Sequence, residues 1–222
     1  TSFLDDRNQI YKDTSLIPSA VSLIQNIGNS TVNGWATGVY IDLQSNFKCA
    51  NTEFSNFNSA ATVNGIDGIR LASAASNSAI ITNNNLHNFS SPGSVQGIVI
   101  AGASNVLISK NSISSFLCTA SNSSAAGIFA VATGLFSTIT KNIIYNISSN
   151  GSGSGHAVGI TIGLGTHLVD NNMISGLHAP NSTNTNGSVK GLYSNGGTAS
   201  STTRIYHNTI YLDDVGAVAN YS

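Results

Sequence analysis

Six short segments of this chain open with glycine followed by an aliphatic residue, and they recur at a nearly fixed interval. The glycines are Gly38, Gly68, Gly97, Gly127, Gly159 and Gly191, separated by 30, 29, 30, 32 and 32 residues. A second mark keeps step: Asn84, Asn111, Asn142, Asn172 and Asn208, each followed two residues on by Leu86, Ile113, Ile144, Ile174 or Ile210. Two registers locked to one period require stacked coils, because each repeat alone is too short to bury its own apolar face.

Aligned on the glycine, the segments read Gly-Val-Tyr-Ile, Gly-Ile-Arg-Leu, Gly-Ile-Val-Ile, Gly-Ile-Phe-Ala, Gly-Ile-Thr-Ile and Gly-Leu-Tyr-Ser. The second and fourth positions stay apolar or small, while the third varies through Tyr40, Arg70, Val99, Phe129, Thr161 and Tyr193. That is the two-residue alternation of a strand with one buried face. A short turn leads to a second strand reaching Ile81, Ile108, Ile139, Val169 or Ile205, in a register where Cys49 stands for isoleucine. The Asn-x-Ile step follows, and three residues later comes an apolar plug: Phe89, Phe116, Ile147 or Leu177. Thr52 and Ser22 take the asparagine register in the earlier coils, with Phe54, Phe57, Ile24 and Ile27 as their apolar steps. Helical spacing is absent.

Each asparagine is expected at a sharp corner, in the left-handed conformation that Asn tolerates better than most residues. Piled about 4.8 Å apart, the amides would hydrogen-bond from coil to coil. Between plug and next glycine lie segments of growing length, Ser90–Gln96, Leu117–Ala126, Ser148–Val158 and His178–Lys190, rich in Ser, Asn and Gly. They are expected to project from one edge, the usual place for an interacting face in repeat proteins.

Charged residues make up 8% of the 222, with a net charge of −1. With basic residues so few and so scattered, neither nucleic acid nor an anionic membrane surface is an expected partner. No run of about 20 apolar residues is present, so membrane insertion is not expected either. Cys49 and Cys118 fall about two coils apart, too far to pair, and read as small buried hydrophobes. The chain carries neither an initiator Met nor a signal segment, and both ends read as cuts through a longer polypeptide. Residues 1–19 fit the repeat poorly and are expected to be irregular or to finish a preceding coil, with repeats over about 20–215.

Segments such as Gly-Ile-Val-Ile-Ala-Gly-Ala-Ser-Asn-Val-Leu-Ile-Ser-Lys-Asn-Ser-Ile-Ser, residues 97–114, resemble the repeats of right-handed parallel β-helix proteins of the pectate-lyase-like superfamily. The stretch Ile-Tyr-His-Asn-Thr-Ile-Tyr-Leu, residues 205–212, resembles repeats of very large bacterial secreted surface proteins. The resemblance implies an all-β, right-handed, single-stranded parallel β-helix of about 6–7 coils. It leaves activity open, because that superfamily holds lyases, hydrolases, epimerases, tailspikes and adhesins.

A polysaccharide lyase needs clustered carboxylates beside a basic residue. By register Asp42 aligns with Ala72, Ala101 and Val131, and Asp67 with Gln96 and Ala126, so neither has a carboxylate stacked on it. Asp170 falls beside the column Asn83, Lys110, Lys141, Asn171, His207, which makes Lys110, Lys141, Asp170 and His207 the best polar constellation available, weak as a catalytic candidate and expected as a solvated, loosely paired edge. Hydrolases of pectin carry Gly-His-Gly, where this chain has Gly155-His156-Ala157, and the adjacent pair Asp213-Asp214 stands apart from it. His87, His156, His167, His178 and His207 occupy different coil positions, and no metal site or cofactor is expected. The outward column offers a possible ligand face in Tyr40, Arg70, Phe129 and Tyr193, whose rings can stack on sugars unless the long loops cover them. Taken together, the expectation is a non-catalytic structural or adhesive segment of a large extracellular bacterial protein. Its partners would be neighbouring coils of the same chain or another copy end to end, with surface polysaccharide as a further possibility. The alternative is a β-helix that binds or cleaves polysaccharide.

Overall fold

The computed structural model describes residues 9–11, 22–27, 36–60, 65–74, 76–131, 135–195 and 201–213. Within them the sequence period becomes a three-sided parallel β-solenoid. Sheet A stacks Gln9–Tyr11, Lys48–Ala50, Ile80–Thr82, Val106–Ser109, Leu135–Thr140, Gly165–Asp170 and Thr202–Tyr206. Sheet B stacks Ser22–Gln25, Thr52–Asn58, Asn85–Ser91, Ser112–Cys118, Ile143–Ser149, Met173–His178 and Thr209–Tyr211. Sheet C stacks Ala36–Ile41, Ile66–Leu71, Val95–Ile100, Ala125–Ala130, Ala157–Ile162 and Val189–Ser194. The chain visits A, B and C in turn, and each strand pairs in parallel only with the strands one coil before and after it. Among the described residues there is no helix. Gln9–Tyr11, from the poorly registered start, pairs with Lys48–Ala50.

Inward-facing side chains of all three sheets fill the hollow. The plugs align as one column, Phe57, Phe89, Phe116, Ile147 and Leu177. Its three phenylalanine rings lie nearly parallel, with centroids 4.4 and 4.6 Å apart. Cys49 pairs in register with Ile81 and is fully buried, and both thiols are free. Burial pushes Cys49 up to about 12 and Cys118 up to about 11, which leaves both as inert apolar filling.

The glycine column has a definite cause. Each repeat glycine is the third residue of its sheet C strand, not the first, and the pairing skips it in every coil. A Cβ on Gly127 would sit 2.7 Å from Ile144 Cγ2 and 2.8 Å from the carbonyl oxygen of Gly159. Gly159 meets Ile174 and Gly191 in the same way, at 2.6 Å each. The isoleucine of each Asn-x-Ile step therefore packs where a glycine side chain would be. That contact is why the two sequence marks keep step.

The asparagine column forms a continuous amide ladder. Nδ2 of Asn84, Asn111, Asn142 and Asn172 each donates to Oδ1 of the next asparagine, at 2.9–3.0 Å. The same oxygen also accepts the backbone N–H of the preceding coil's asparagine, at 2.9–3.0 Å. Nδ2 donates as well to the carbonyl of the sheet A residue one coil back, such as Ile108 for Asn142 at 3.1 Å. Thr52 ends the column, its N–H donating to Asn84 Oδ1 at 3.1 Å.

One expectation fails here. The ladder asparagines are not the left-handed residues. Those are their predecessors, Asn51, Asn83, Lys110, Lys141, Asn171 and His207, with φ from 49° to 58°. The predecessor makes the corner, and this swings the ladder amide inward to satisfy buried backbone groups. A second left-handed column, Asn26, Asn56, Asn88, Ser115, Asn146 and Gly176, bends the chain just before the inward apolar residue in six of the seven sheet B coils.

Candidate functional site

Lys110, Lys141 and His207 stand in one exposed column at the corner between sheets A and B, on the left-handed residues just described. Asp170 lies beside them at the end of its sheet A strand and joins His207 through Oδ1 and Nδ1, 3.1 Å apart. Lys141 meets Asp170 through the backbone, its N–H donating to the Asp170 carbonyl at 3.2 Å. So the fold brings the four residues to one edge and couples Asp170 with His207 in an open, solvated pair.

The proposed ligand column is real as a register: Tyr40, Arg70, Val99, Phe129, Thr161 and Tyr193 pair strand by strand across sheet C. Its exposure is uneven. Tyr40 is 56% exposed, whereas Val99 and Thr161 are buried although neither belongs to the core cluster. Ala126 and Val158, in the adjoining column, are likewise buried outside the core cluster. The middle of the outer face is therefore largely buried, with Phe129 half-buried between Val99 and Thr161, and the charged groups lie on the second and last strands, toward its two ends.

One strand in from the first end, Asp67, 1% exposed, receives a hydrogen bond from Arg70 Nη1 to Oδ2 at 2.8 Å, while its Oδ1 has no partner. Burial pushes the Asp67 carboxyl above its ordinary range, against the pull of the guanidinium. At the second end Lys190 and Tyr193 occupy the same two register positions, with Lys190 Nζ 3.9 Å from the Tyr193 ring centroid. His156, at the head of the neighbouring strand, places its ring centroid 6.5 Å from that of Tyr193. Its Nδ1 lies 3.3 Å from Ser124 Oγ.

The remaining histidines are dispersed. His87 Nε2 lies 3.0 Å from Glu53 Oε1 on the outer face of sheet B. His167 is buried, with Nδ1 2.8 Å from Ser137 Oγ and Nε2 without a partner. His178 ends its sheet B strand. Among the described residues no group of three or more His, Cys, Asp or Glu comes together in a way that holds a metal ion. Asp213 is exposed; Asp214 lies outside the described residues.

Lys190 is the residue that reading the sequence missed. The signal was available: its register companions are Thr37, Asp67, Gln96, Ala126 and Val158, so it answers Asp67 at the far end of one column. The long segments between sheets B and C all leave the same corner, and they stack on one another there, as when Asn122 N donates to Ser152 O at 2.9 Å and Thr183 N to Gly153 O at 2.7 Å. No protein-family model, no curated protein and no solved structure matches this chain.

Proposed function

We propose that this chain is a structural or adhesive, non-catalytic segment of a large extracellular bacterial surface or filament-forming protein. The observation that carries this reading is the amide ladder. It ties each coil to the next through side chain and backbone together, over Asn84 to Asn208. A rod whose successive turns are bonded in this way resists bending and local opening, which suits a stalk that holds a binding surface away from a cell. Low charge fits the same role, since the polar demand is met by stacked amides and hydroxyls rather than by solvated ions.

Beads coated with the protein, held against cell-surface polysaccharides and whole cells under flow, test the proposal. Retention without any change in the polymer is expected. Release of reducing or unsaturated ends from any member of a polysaccharide panel would overturn it in favour of an enzyme. The exposed ring of Tyr40 supports the second reading, a carbohydrate-binding face on sheet C. Loss of retention in Tyr40→Ala together with Tyr193→Ala is its expected signature.

A further inference from the structure

Two strands of the outer face of sheet C, Ile66–Leu71 and Val189–Ser194, present the same pair of register positions with opposite chemistry. On the first a buried carboxylate is answered by a guanidinium at 2.8 Å. On the second Lys190 is only 3% exposed, and no carboxylate of the described residues forms an ion pair with it. Taking an ammonium out of water without a counter-charge is costly. The Tyr193 ring beneath Nζ offsets part of that cost, because the face of an aromatic ring attracts a cation. It does not supply the missing negative charge.

Among the described residues, the groups gathered at the Tyr193 ring carry no negative charge either. His156 lies against the same Tyr193 ring, and Ser124 Oγ reaches both the His156 ring at 3.3 Å and the His156 backbone N–H at 3.3 Å. Burial depresses the affinity of Lys190 for its proton. Burial first, and the Lys190 charge second, do the same to His156. Lys190 and His156 therefore share the Tyr193 ring as a neighbour, and burial lowers the proton affinity of both.

We propose that Lys190, His156, Ser124 and Tyr193 form a site for a single oxyanion, a carboxylate or a sulfate ester borne by a ligand. The ammonium supplies the charge, and the imidazole and hydroxyl supply hydrogen bonds. The tyrosine ring walls the site and keeps the ammonium in place. The inference stands apart from the proposed stalk role, since it rests on the uncompensated charge alone. Binding of the anion raises the proton affinity of His156, which makes that residue the reporter.

The test follows the imidazole resonances by NMR while the intact chain is titrated with sodium acetate or sodium methyl sulfate. Sodium chloride at matched ionic strength is the control. In the expected result His156 alone shifts saturably and its pKa rises, while the solvent-exposed His207, already paired with Asp170, does not follow. Response to acetate alone identifies a carboxylate site, to methyl sulfate alone a sulfate-ester site, and to both a general oxyanion site. Lys190→Met should weaken the response by at least about tenfold, the scale of a lost charge-assisted hydrogen bond, and Lys190→Arg should restore it. Ser124→Ala, at a half-buried position, gives a second and milder weakening should the Lys190 variant fold poorly. An equal shift with chloride, a response that never saturates, or unchanged saturation in both Lys190→Met and Ser124→Ala overturns the proposal.

Discussion

The corner between sheets A and B and the corner between sheets B and C solve one problem in two ways. From Thr82 onward the first always spends two residues between strands: a left-handed residue, then a ladder asparagine. The second spends three, six, seven and then ten residues in successive coils after Ser91, Cys118, Ser149 and His178. Every buried N–H and C=O needs a partner in both places. Where the geometry repeats, one residue type supplies it coil after coil. Where the length grows, the partners are improvised. Ser149 Oγ donates to Ser123 O at 2.8 Å, Ser154 N donates to Asn122 Oδ1 at 2.8 Å, and Asn184 Nδ2 donates to Ser154 O at 2.9 Å. Stiffness belongs to the first corner and chemical variety to the second, where His156 and Ser124 sit.

The strongest way to break this contrast is Asn142→Ala. It removes the acceptor for the Asn111 N–H and amide, and the donor to Asn172, Ile108 and Thr140. Leaving several buried groups unpaired should cost about 2–4 kcal/mol in urea unfolding. A loss below about 0.5 kcal/mol would show that the ladder is decoration, since that is the range of ordinary surface changes. Gly127→Ala comes next, with about 1–3 kcal/mol expected from forcing a methyl against Ile144 and a neighbouring carbonyl. An unchanged midpoint would mean the coils slide apart freely.

A smaller effect comes from pH. His167, buried against Ser137, has its proton affinity lowered mainly by burial. The unfolded state then binds more protons than the folded one below the ordinary value of 6.5, so stability falls as pH drops through 6.5 toward the depressed folded value and levels off beneath it. Asp67, raised by burial, acts in the opposite sense, losing stability as pH climbs above its ordinary 3.8. His167→Phe should flatten the first slope in thermal melts at several pH values. A slope that persists in that variant assigns it elsewhere.

Lys110 and Lys141 hold left-handed conformations that asparagine adopts more easily. Lys141→Asn should therefore stabilise by about 0.5–1 kcal/mol, and a destabilisation would mean the lysine makes an interaction its exposure conceals. At the variable corner Asn122→Ala, on an exposed loop, loses a residue suited to φ 63° and the acceptor of Ser154 N and Oγ, so about 0.5–1.5 kcal/mol is expected, below the cost at Asn142. A cost as large as that of Asn142→Ala would erase the distinction between the corners.

Much of this architecture was legible because it repeats. Glycine, isoleucine, plug and asparagine recur at one interval, and any feature that each coil needs is printed once per coil. The left-handed position was misassigned for a local reason. Asn83-Asn84 and Asn171-Asn172 offer two candidates, and only the coordinates show which amide turns inward. Lys110-Asn111 and Lys141-Asn142 held the clue, since only their second residue can extend the amide ladder.

Sequence alone determined the stacked coil, its alternating glycine strand, the vertical amide column and the burial of Cys49, because each follows from periodic spacing and residue type. Tertiary structure decided that each turn has three strands, that Asp67 lies buried against Arg70, and that Lys190 and His156 both meet Tyr193 with no acid paired to Lys190 among the described residues. The physical reason is that these meetings join residues from different coils across loops of unequal length. No period predicts where such loops lie, and burial, which sets the electrostatics, depends on where they come to rest.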